Sequence, residues 1–313
     1  MIISCSRRTD IPAFYADWLF NRVREGFACV RNPMNHLQVS KVALTPDVAD
    51  GFVFWTKNPA PMLYRLRELD GYAYYFQFTL TPYGKDIEPN LPVKIKLLST
   101  LRRLADEIGP RRVIWRYDPI LINPTWTVDT HLRTFEMMAR LLEGATHKVV
   151  ISFLDMDYRN VRRNALTLAA QELTVREKLS MAGKLRQIAH ACGMEMSACA
   201  EDTDYSACGI APARCIDGDL FETLLGCRLE LHKDKTQRPA CGCAQSVDIG
   251  MYNSCAHGCR YCYANYNFVE IARNRQNHDP ASPLLFGEIG QLDTVKERIM
   301  HSCKEQQMAL VGF

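Results

Sequence analysis

The chain has 313 residues, which is enough for one large α/β domain of barrel size or for two smaller domains. Its hydrophobic fraction of 47% gives a sizeable core, and its net charge of +3 is too small to indicate nucleic-acid or acidic-membrane binding by itself. No apolar run reaches the ~18 residues that span a bilayer, and the first residues do not resemble a signal peptide, so we expect a cytoplasmic protein without membrane contact.

Short apolar strands alternate with longer helical patterns along the chain. Strands are predicted at residues 2–5, 27–30, 52–55, 74–78, 113–115, 149–153 and 195–199, and helices at about 13–25, 91–107, 128–142 and 175–192. Seven or eight such units predict a (β/α) barrel of the TIM type, with an open doubly wound parallel sheet as the alternative. We expect residues 1–240 to form the barrel body and residues 241–313 to form a cysteine-rich segment and tail that close it.

Polar side chains follow the predicted strands at their carboxyl ends, the rim that carries the active site in barrels. The candidate catalytic residues there are Arg7, Arg8, Asp10, Lys57, Arg116 and Asp118. The arginines would hold a carboxylate or phosphate in forked geometry, the lysine would serve as a point charge or proton donor, and the aspartates would orient these cations. Helix capping, turn capping or a local ion pair is the structural alternative for each of them.

The cysteine count of thirteen is odd, which argues against a disulfide framework and favours metal binding. The strongest motif is the C-x3-C-x2-C spacing of Cys255, Cys259 and Cys262. Three thiolates so close can each bind one iron of a [4Fe-4S] cluster and leave the fourth iron open, as chemistry at the metal requires. A plain electron-carrying cluster is one alternative. Zinc bound with His257 or a remote cysteine is another, although zinc sites more often use two C-x2-C pairs or a Cys/His pair.

A second set of cysteines lies upstream, and the Cys-Gly-Cys pair within it can place two sulfurs on one metal because glycine permits a sharp bend. The favoured ligands of a second iron–sulfur cluster or zinc ion are Cys199, Cys215, Cys241 and Cys243, with Cys208 as the substitute. Free buried thiols are the alternative for this set.

The loop at 255–262, between a predicted strand at 246–252 and a predicted helix at 263–273, resembles the signature of radical S-adenosylmethionine enzymes. The resemblance implies S-adenosylmethionine on the open iron, Tyr261 near its adenine, and cleavage to a 5′-deoxyadenosyl radical. In those enzymes the cysteine loop follows the first strand, whereas here it lies near the end of the chain. Because the last strand of a closed barrel neighbours the first, the ring order would survive as a circular permutation, with Arg7 and Asp10 beside the methionine end of the cofactor.

Four segments together carry a resemblance that covers nearly the whole chain. They are Ser6-Arg-Arg-Thr-Asp-Ile-Pro12, Phe54-Trp-Thr-Lys-Asn-Pro59, Trp115-Arg-Tyr-Asp-Pro-Ile120 and the block from Cys241 to Cys262. This pattern is similar to the bacterial domain-of-unknown-function family numbered 1848, which implies no settled activity. The short stretch 261–264 also resembles spore photoproduct lyase and related radical enzymes, and a likeness of that length implies no role in DNA repair.

These patterns predict an iron–sulfur enzyme of radical S-adenosylmethionine type that acts on a small anionic substrate and takes electrons from a reductant such as flavodoxin or ferredoxin. The alternative is a non-catalytic iron–sulfur or zinc protein that carries electrons or binds nucleic acid through Arg260, Arg273 and Arg275. Nucleic acid is disfavoured because aromatic and basic residues are not interleaved in one patch. The least favoured hypothesis is a barrel hydrolase that uses Asp10, Asp118 and Asp155, with the cysteines structural.

Overall fold

An eight-stranded parallel sheet forms the body of the protein in the computed structural model, which describes residues 1–305. The strands are β1 (Ile2–Cys5), β2 (Phe27–Arg31), β3 (Gln38–Ala43), β4 (Gly51–Thr56), β5 (Ala73–Thr79), β6 (Val113–Ile120), β7 (Lys148–Phe153), β8 (Glu195–Ala198), β9 (Ala211–Pro212), β10 (Ser246–Asp248) and β11 (Thr294–Glu297). The large sheet has the order β10-β1-β4-β5-β6-β7-β8-β9, and β11-β3-β2 form a smaller second sheet.

Eight helices accompany these strands in the described part of the chain. They are α1 (Ile11–Phe14), α2 (Ala16–Glu25), α3 (Lys94–Ile108), α4 (Val128–Leu142), α5 (Arg159–Thr167), α6 (Val175–Ala191), α7 (Gly218–Leu225) and α8 (Phe268–Gln276). Short 3₁₀ helices lie at Ala60–Leu69, Pro110–Arg112 and Ser206–Cys208. The helix starts follow local chemistry: Thr127 caps α4, and Thr174 with Glu177 forms a capping box at α6. None of these helices is both long and apolar enough to cross a membrane.

The two faces of the large sheet bury different partners, because successive side chains of a strand point to opposite faces. Phe52, Phe54 and Phe76 belong to the main core, which also contains the apolar faces of α3, α4 and α6. Val53 and Tyr75 point the other way and pack against residues 213–244. Both faces are therefore dry, which explains why the strands are almost continuously apolar.

Residues 213–244, which we call the inner segment, are fixed to the second face of the sheet by hydrogen bonds. The Tyr75 hydroxyl donates to the carbonyl of Cys215 over 2.8 Å and accepts from the amide of Asp217 over 2.8 Å. Within the inner segment the amide of Ala244 donates to the carbonyl of Ile216 over 3.1 Å. The stretch after β9 thus lies beside the stretch before β10.

The predicted parallel α/β architecture is confirmed. Six of the seven strands predicted between residues 2 and 199 form and lie in the large parallel sheet. The exception is the strand at 27–30, which forms as β2 but pairs antiparallel with β3 in the smaller sheet. In residues 1–305 no strand ladder joins β9 to β10, so the described sheet is not closed by strand pairing. The helix predicted at 13–25 is broken at Tyr15, and the helix predicted to begin at residue 263 begins at Phe268.

The predicted adjacency of the first strand and the cysteine-rich segment is confirmed. Strand β10 pairs parallel with β1, with Ser246 opposite Ile2 and Asp248 opposite Ser4. The tail packs on the body of the protein: Trp18 donates its indole N–H to the carbonyl of Ser282 over 2.9 Å, and β11 pairs with β3. The part of the predicted tail at 306–313 lies outside the described residues.

Substitution of Gly51 by alanine tests the packing between β4 and β5. A Cβ at this position would lie 2.3 Å from the carbonyl oxygen of Ala73 and 2.5 Å from Phe221, so backbone or core has to shift. We expect Gly51→Ala to lower the free energy of unfolding by about 1–3 kcal/mol, measured by denaturant titration. Gly71→Ala is the matched control because nothing lies within 4 Å of its Cβ. Equal effects of the two substitutions would contradict this packing.

Candidate functional site

The cysteine loop, residues 252–265, lies on the loop that follows β1. The Tyr263 hydroxyl donates to the carbonyl of Arg7 over 3.0 Å, and the Asn265 side chain donates to the carbonyl of Arg8 over 2.9 Å. The Asn265 oxygen in turn accepts from the amide of Cys255 over 2.8 Å. Strand pairing between β1 and β10 delivers both loops to the carboxyl edge of the sheet, where parallel α/β proteins build their sites.

Asp248, at the end of β10, joins the two loops electrostatically. Its carboxylate accepts from the hydroxyls of Ser4 over 2.8 Å and Ser6 over 2.5 Å, and from the guanidinium of Arg8 over 2.9 Å. Burial alone would raise the pKa of Asp248, but Arg8 and these hydrogen bonds hold the pKa below its usual value. Arg8, a predicted catalytic residue, is therefore engaged by a carboxylate that the sequence analysis does not single out.

Gly250 allows the close approach of these segments. A Cβ there would lie 2.2 Å from the Ser6 hydroxyl and 2.7 Å from that of Thr9. The Thr9 hydroxyl also bonds the carbonyl of Met251 over 2.9 Å. The loop after β1 can therefore approach the end of β10 this closely only because residue 250 is a glycine and has no side chain.

Asp10 serves both as a helix cap and as an anchor for the cysteine loop. One carboxylate oxygen accepts from the amide of Ala13 at the start of α1 over 3.0 Å. The other accepts from the amide of Lys57 over 2.7 Å and from Nε2 of His257 over 2.7 Å. The structural alternative of a cap is therefore correct for Asp10, and the contact with His257 adds a second role.

His257 presents a buried nitrogen that lacks a partner among the described residues. Its ring is 3% exposed, Nε2 is bonded to Asp10, and Nδ1 makes no hydrogen bond. An unpaired buried polar atom is costly, so a group that fills this place would be stabilised. The nitrogen lies between Cys255 and Cys259 in sequence, which makes it a candidate second partner of whatever the thiols bind.

Glu88 gathers four polar groups beneath the cysteine loop. It is 1% exposed and accepts from the ammonium of Lys57 over 2.8 Å, the hydroxyl of Thr81 over 2.8 Å, the hydroxyl of Tyr261 and the ammonium of Lys94. Burial alone would raise the pKa of Glu88, but the two lysines lower it to about 2. The Lys57 ammonium also lies 5.5 Å from the centre of the Tyr261 ring. Two predicted site residues therefore meet on a carboxylate that the sequence analysis does not identify.

Arg116 and Asp118 form an ion pair on the second face of the sheet, which we call the inner face because the inner segment covers it. Asp118 also accepts from the hydroxyl of Ser152, and Arg116 donates to the sulfur of Cys215 over 2.8 Å. Burial alone would lower the pKa of Arg116, but the charges around it raise the pKa. The expectation that Asp118 orients a cation agrees with this contact.

Arg7 differs from the other predicted cations because it has no carboxylate partner within salt-bridge distance in the described residues. Its guanidinium lies 5.1 Å from the centre of the Trp55 ring and near the thiol of Cys243. Nη2 is buried and makes no hydrogen bond. The alternative of an Arg7–Asp10 pair is not realised, and Arg7 retains capacity to bind an anion.

The three thiols of the cysteine loop are buried or half-buried at the carboxyl edge of the large sheet. Burial raises the pKa of Cys255 and raises that of Cys259 to about 12, so both are neutral thiols until a metal displaces their protons. The amide of Asn265 lies 3.6 Å from the sulfur of Cys262. A cavity of about 190 Å³ borders Cys255 and is also lined by Asn90, Phe268 and Arg275. The loop therefore places three thiols and an unpartnered imidazole nitrogen of His257 within one short stretch of chain.

The second set of cysteines comes together on the inner face. The sulfurs of Cys199 and Cys215 lie 3.3 Å apart, and Cys241 and Cys243 belong to the same buried cluster as Cys215. Cys208 lies elsewhere, with its sulfur 3.5 Å from the carbonyl of Leu179 in α6. In residues 1–305, no three His, Cys, Asp or Glu side chains are arranged as they stand to hold a metal ion.

The remaining acidic residues of the edge have local partners. Asp155, the third candidate of the hydrolase hypothesis, pairs with Arg238 of the inner segment. Glu201, which the sequence analysis does not identify, accepts from the amide of Phe153 over 2.7 Å, and burial raises its pKa. Asp155 and Glu201 are thus used to hold the inner face together. Asp248 could have been identified from the sequence as an acidic residue within an apolar stretch. Glu88 could not, because it lies 173 residues from Tyr261 and no sequence spacing links the two.

One family model matches the chain over residues 2–264 and carries the description "Domain of unknown function (DUF1848)". The match covers β1 to β10, the inner segment and the cysteine loop. No curated protein matches the chain.

Replacement of Glu88 by glutamine tests the anchor of Tyr261. The variant leaves Lys57 and Lys94 without their buried counter-charge, so we expect the free energy of unfolding to fall by about 3–5 kcal/mol in denaturant titration. Glu136→Gln is the control, because its pair with Arg140 is solvent-exposed and is expected to contribute little to stability. A loss at Glu88 as small as the control's would contradict a buried charge cluster.

Acid should erase the difference between the native protein and Glu88→Gln. The folded-state pKa of Glu88 lies below its ordinary value of 4.5, so its stabilising effect is complete above pH 4.5 and is lost as the pH falls toward about 2. We expect the two thermal unfolding midpoints to converge over this range. A constant gap between them down to pH 2 would show that the ionised carboxylate is not what stabilises the fold.

Proposed function

The chain belongs to the DUF1848 family, and we propose that it is an iron–sulfur enzyme of radical S-adenosylmethionine type that acts on an anionic substrate. The observation that carries the proposal is the position of Cys255, Cys259 and Cys262 on a loop held at the carboxyl edge of a parallel sheet, next to the first strand. In parallel α/β proteins this edge is where chemistry takes place.

The residues of the cysteine loop suit a cluster with an open coordination site. Three cysteines are available there, and His257, the remaining potential ligand of the loop, has one nitrogen bonded to Asp10. Its other nitrogen makes no hydrogen bond within the described residues. When bound, a [4Fe-4S] cluster would supply the coordination site for S-adenosylmethionine and the electron that cleaves it.

The pairing of β1 with β10 supports the idea of a circular permutation. Radical enzymes of this type place the cysteine loop after one strand and further cofactor contacts after the neighbouring strand. Here β10 leads to the cysteine loop, and β1 leads to Arg7 and Asp10. We therefore propose that the large sheet is the permuted counterpart of their TIM-like barrel.

The contacts refine the roles that the resemblance implies. Both carboxylate oxygens of Asp10 are already bonded to the protein, so its role would be to position the loop through His257. Tyr261 is held by Glu88, and its ring is thereby fixed beside Cys262 for contact with an adenine. Arg7 is the cation with bonding capacity to spare, and it is our candidate for the carboxylate of the cofactor or of the substrate.

An anionic substrate follows from the cations of the edge, although most of them are already paired. Arg8 bonds Asp248, Arg116 bonds Asp118, and Lys57 bonds Glu88. Binding at Arg7 requires no existing ion pair to break, which is why we assign the anion to it. The thirteen free cysteines and an oxygen-sensitive cluster would suit the cytoplasm, with a flavodoxin or ferredoxin as reductant.

Anaerobic purification followed by a cleavage assay tests the proposal. The native protein should be brown, contain about four iron and four sulfide per chain at the loop, and release 5′-deoxyadenosine from S-adenosylmethionine when reduced. The triple variant Cys255→Ser, Cys259→Ser, Cys262→Ser should lose the loop's iron and release at least ten-fold less 5′-deoxyadenosine. Cys208→Ser, a cysteine against α6, is the matched control and should retain both.

Two results would overturn the proposal in different ways. Iron and sulfide without any 5′-deoxyadenosine would indicate a non-catalytic electron carrier. Absence of iron and sulfide from the anaerobic protein, with zinc lost in the triple variant, would indicate a zinc protein. An Arg7→Gln variant then separates cofactor binding from cluster assembly, because we expect it to keep the iron and to weaken S-adenosylmethionine or substrate binding at least ten-fold.

A further inference from the structure

The thiols of the second cysteine set lie in one buried cluster beneath the carboxyl edge. Cys199 follows β8, Cys215 lies in the inner segment after β9, and Cys241 and Cys243 lie shortly before β10. The sulfurs of Cys199 and Cys215 are 3.3 Å apart, and Cys241 and Cys243 lie in the same buried cluster. Three separate stretches of chain therefore contribute sulfur to one place.

The backbone around these thiols is fixed by the sheet and by the inner segment itself. The carbonyl of Cys215 accepts from the side chains of Tyr75 over 2.8 Å and Gln77 over 3.0 Å. The amide of Ile216 lies 3.4 Å from the sulfur of Cys243 and points at it as a donor. Amide-to-sulfur hydrogen bonds of this kind orient thiolates that bind a metal.

Buried positive charge lies beside these sulfurs. Nη1 of Arg116 is 2.8 Å from the sulfur of Cys215, and the guanidinium of Arg7 lies near Cys243. Asp118 balances part of the charge of Arg116, whereas Arg7 has no carboxylate partner in the described residues. Burying a cation against neutral thiols is unfavourable, but four thiolates around a divalent ion carry two excess negative charges, which the Arg116 guanidinium beside Cys215 would stabilise.

We propose that Cys199, Cys215, Cys241 and Cys243 bind one Zn²⁺ as a closed tetrathiolate site, separate from the cluster of the cysteine loop. Zinc–sulfur bonds of about 2.3 Å place tetrahedral sulfurs about 3.8 Å apart, within 1 Å of the 3.3 Å between the sulfurs of Cys199 and Cys215. A cubane cluster would hold its cysteines much farther apart, because each binds a different iron. The thiols do not yet surround a common point, so binding would turn them toward the ion and release their protons.

The site would tie together the two ends of the large sheet. The ligands follow β8 and β9 on one side and precede β10 on the other, where strand pairing does not join the ends in the described residues. Because all four positions are taken by protein, the ion has a structural role and leaves none open for a substrate. The cysteine loop follows β10, so the same ion would also support the position of the candidate active site.

Metal analysis of cysteine variants tests this site apart from the function proposed above. The triple variant at positions 255, 259 and 262, which removes the loop ligands, should still carry one zinc per chain. The further substitutions Cys241→Ser and Cys243→Ser should reduce its zinc at least ten-fold, whereas Cys227→Ser and Cys208→Ser should not change it. Loss of iron in place of zinc on substitution of Cys241 and Cys243, or no change in either metal, would overturn the zinc assignment.

A second measurement does not depend on the folding of the Cys241 and Cys243 variants. Native mass spectrometry of the triple variant should show the mass increase of one zinc ion that replaces two protons, relative to the acid-denatured chain. Replacement of the zinc by Co²⁺ should give the intense absorption of a tetrahedral thiolate complex. A native chain without added mass, or a Co²⁺ spectrum without thiolate bands, would overturn the site even if the cysteine loop binds its cluster as proposed.

Discussion

The parallel pairing of β10 with β1 is the constraint on which the rest of the candidate site depends. Ser246, Val247 and Asp248 lie opposite Ile2, Ile3 and Ser4. A shift of one residue in this register would turn Asp248 away from Ser4 and Ser6, because successive side chains alternate between the faces. The loops after the two strands would then lose the carboxylate that bonds both the Ser6 hydroxyl and the Arg8 guanidinium.

Three carboxylates at the carboxyl edge have a common purpose, which is to fix the cysteine loop rather than to face a ligand. Asp248 bonds the loop after β1, Asp10 bonds His257, and Glu88 bonds Tyr261. Each is buried or half-buried and each has several donors, so its charge is compensated within the protein. These carboxylates neutralise Arg8 and Lys57, whereas Nη2 of Arg7 makes no hydrogen bond. Among these three cations, Arg7 is therefore the one best able to bind an anion.

The sequence predicted the strands well because their burial on both faces makes them short apolar runs that end in polar residues. Its prediction that Cys199, Cys215, Cys241 and Cys243 share one metal stays a prediction, although the sulfurs of Cys199 and Cys215 lie 3.3 Å apart. It did not predict β3, whose Gln38–Ala43 pattern mixes polar and apolar residues because only one face is buried against the body. The contact between Glu88 and Tyr261 could not be predicted from the sequence, because a contact between distant residues leaves no periodic pattern. The early start predicted for α8 failed since residues 263–267 bond the loop after β1 and Asn267 caps the helix.

The position of β10 in the sheet also bears on how the protein is made. During synthesis β1 leaves the ribosome first, and its partner follows more than 240 residues later, so one side of β1 stays unpaired while most of the body is translated. The pairing of β1 with β4, only about 50 residues away, covers the other side earlier. The last cysteines of both sets are synthesised shortly before or after β10. If the sets bind metal, binding would therefore require a nearly complete chain, and the thiols would not be held together on an incomplete sheet that could bind another ion.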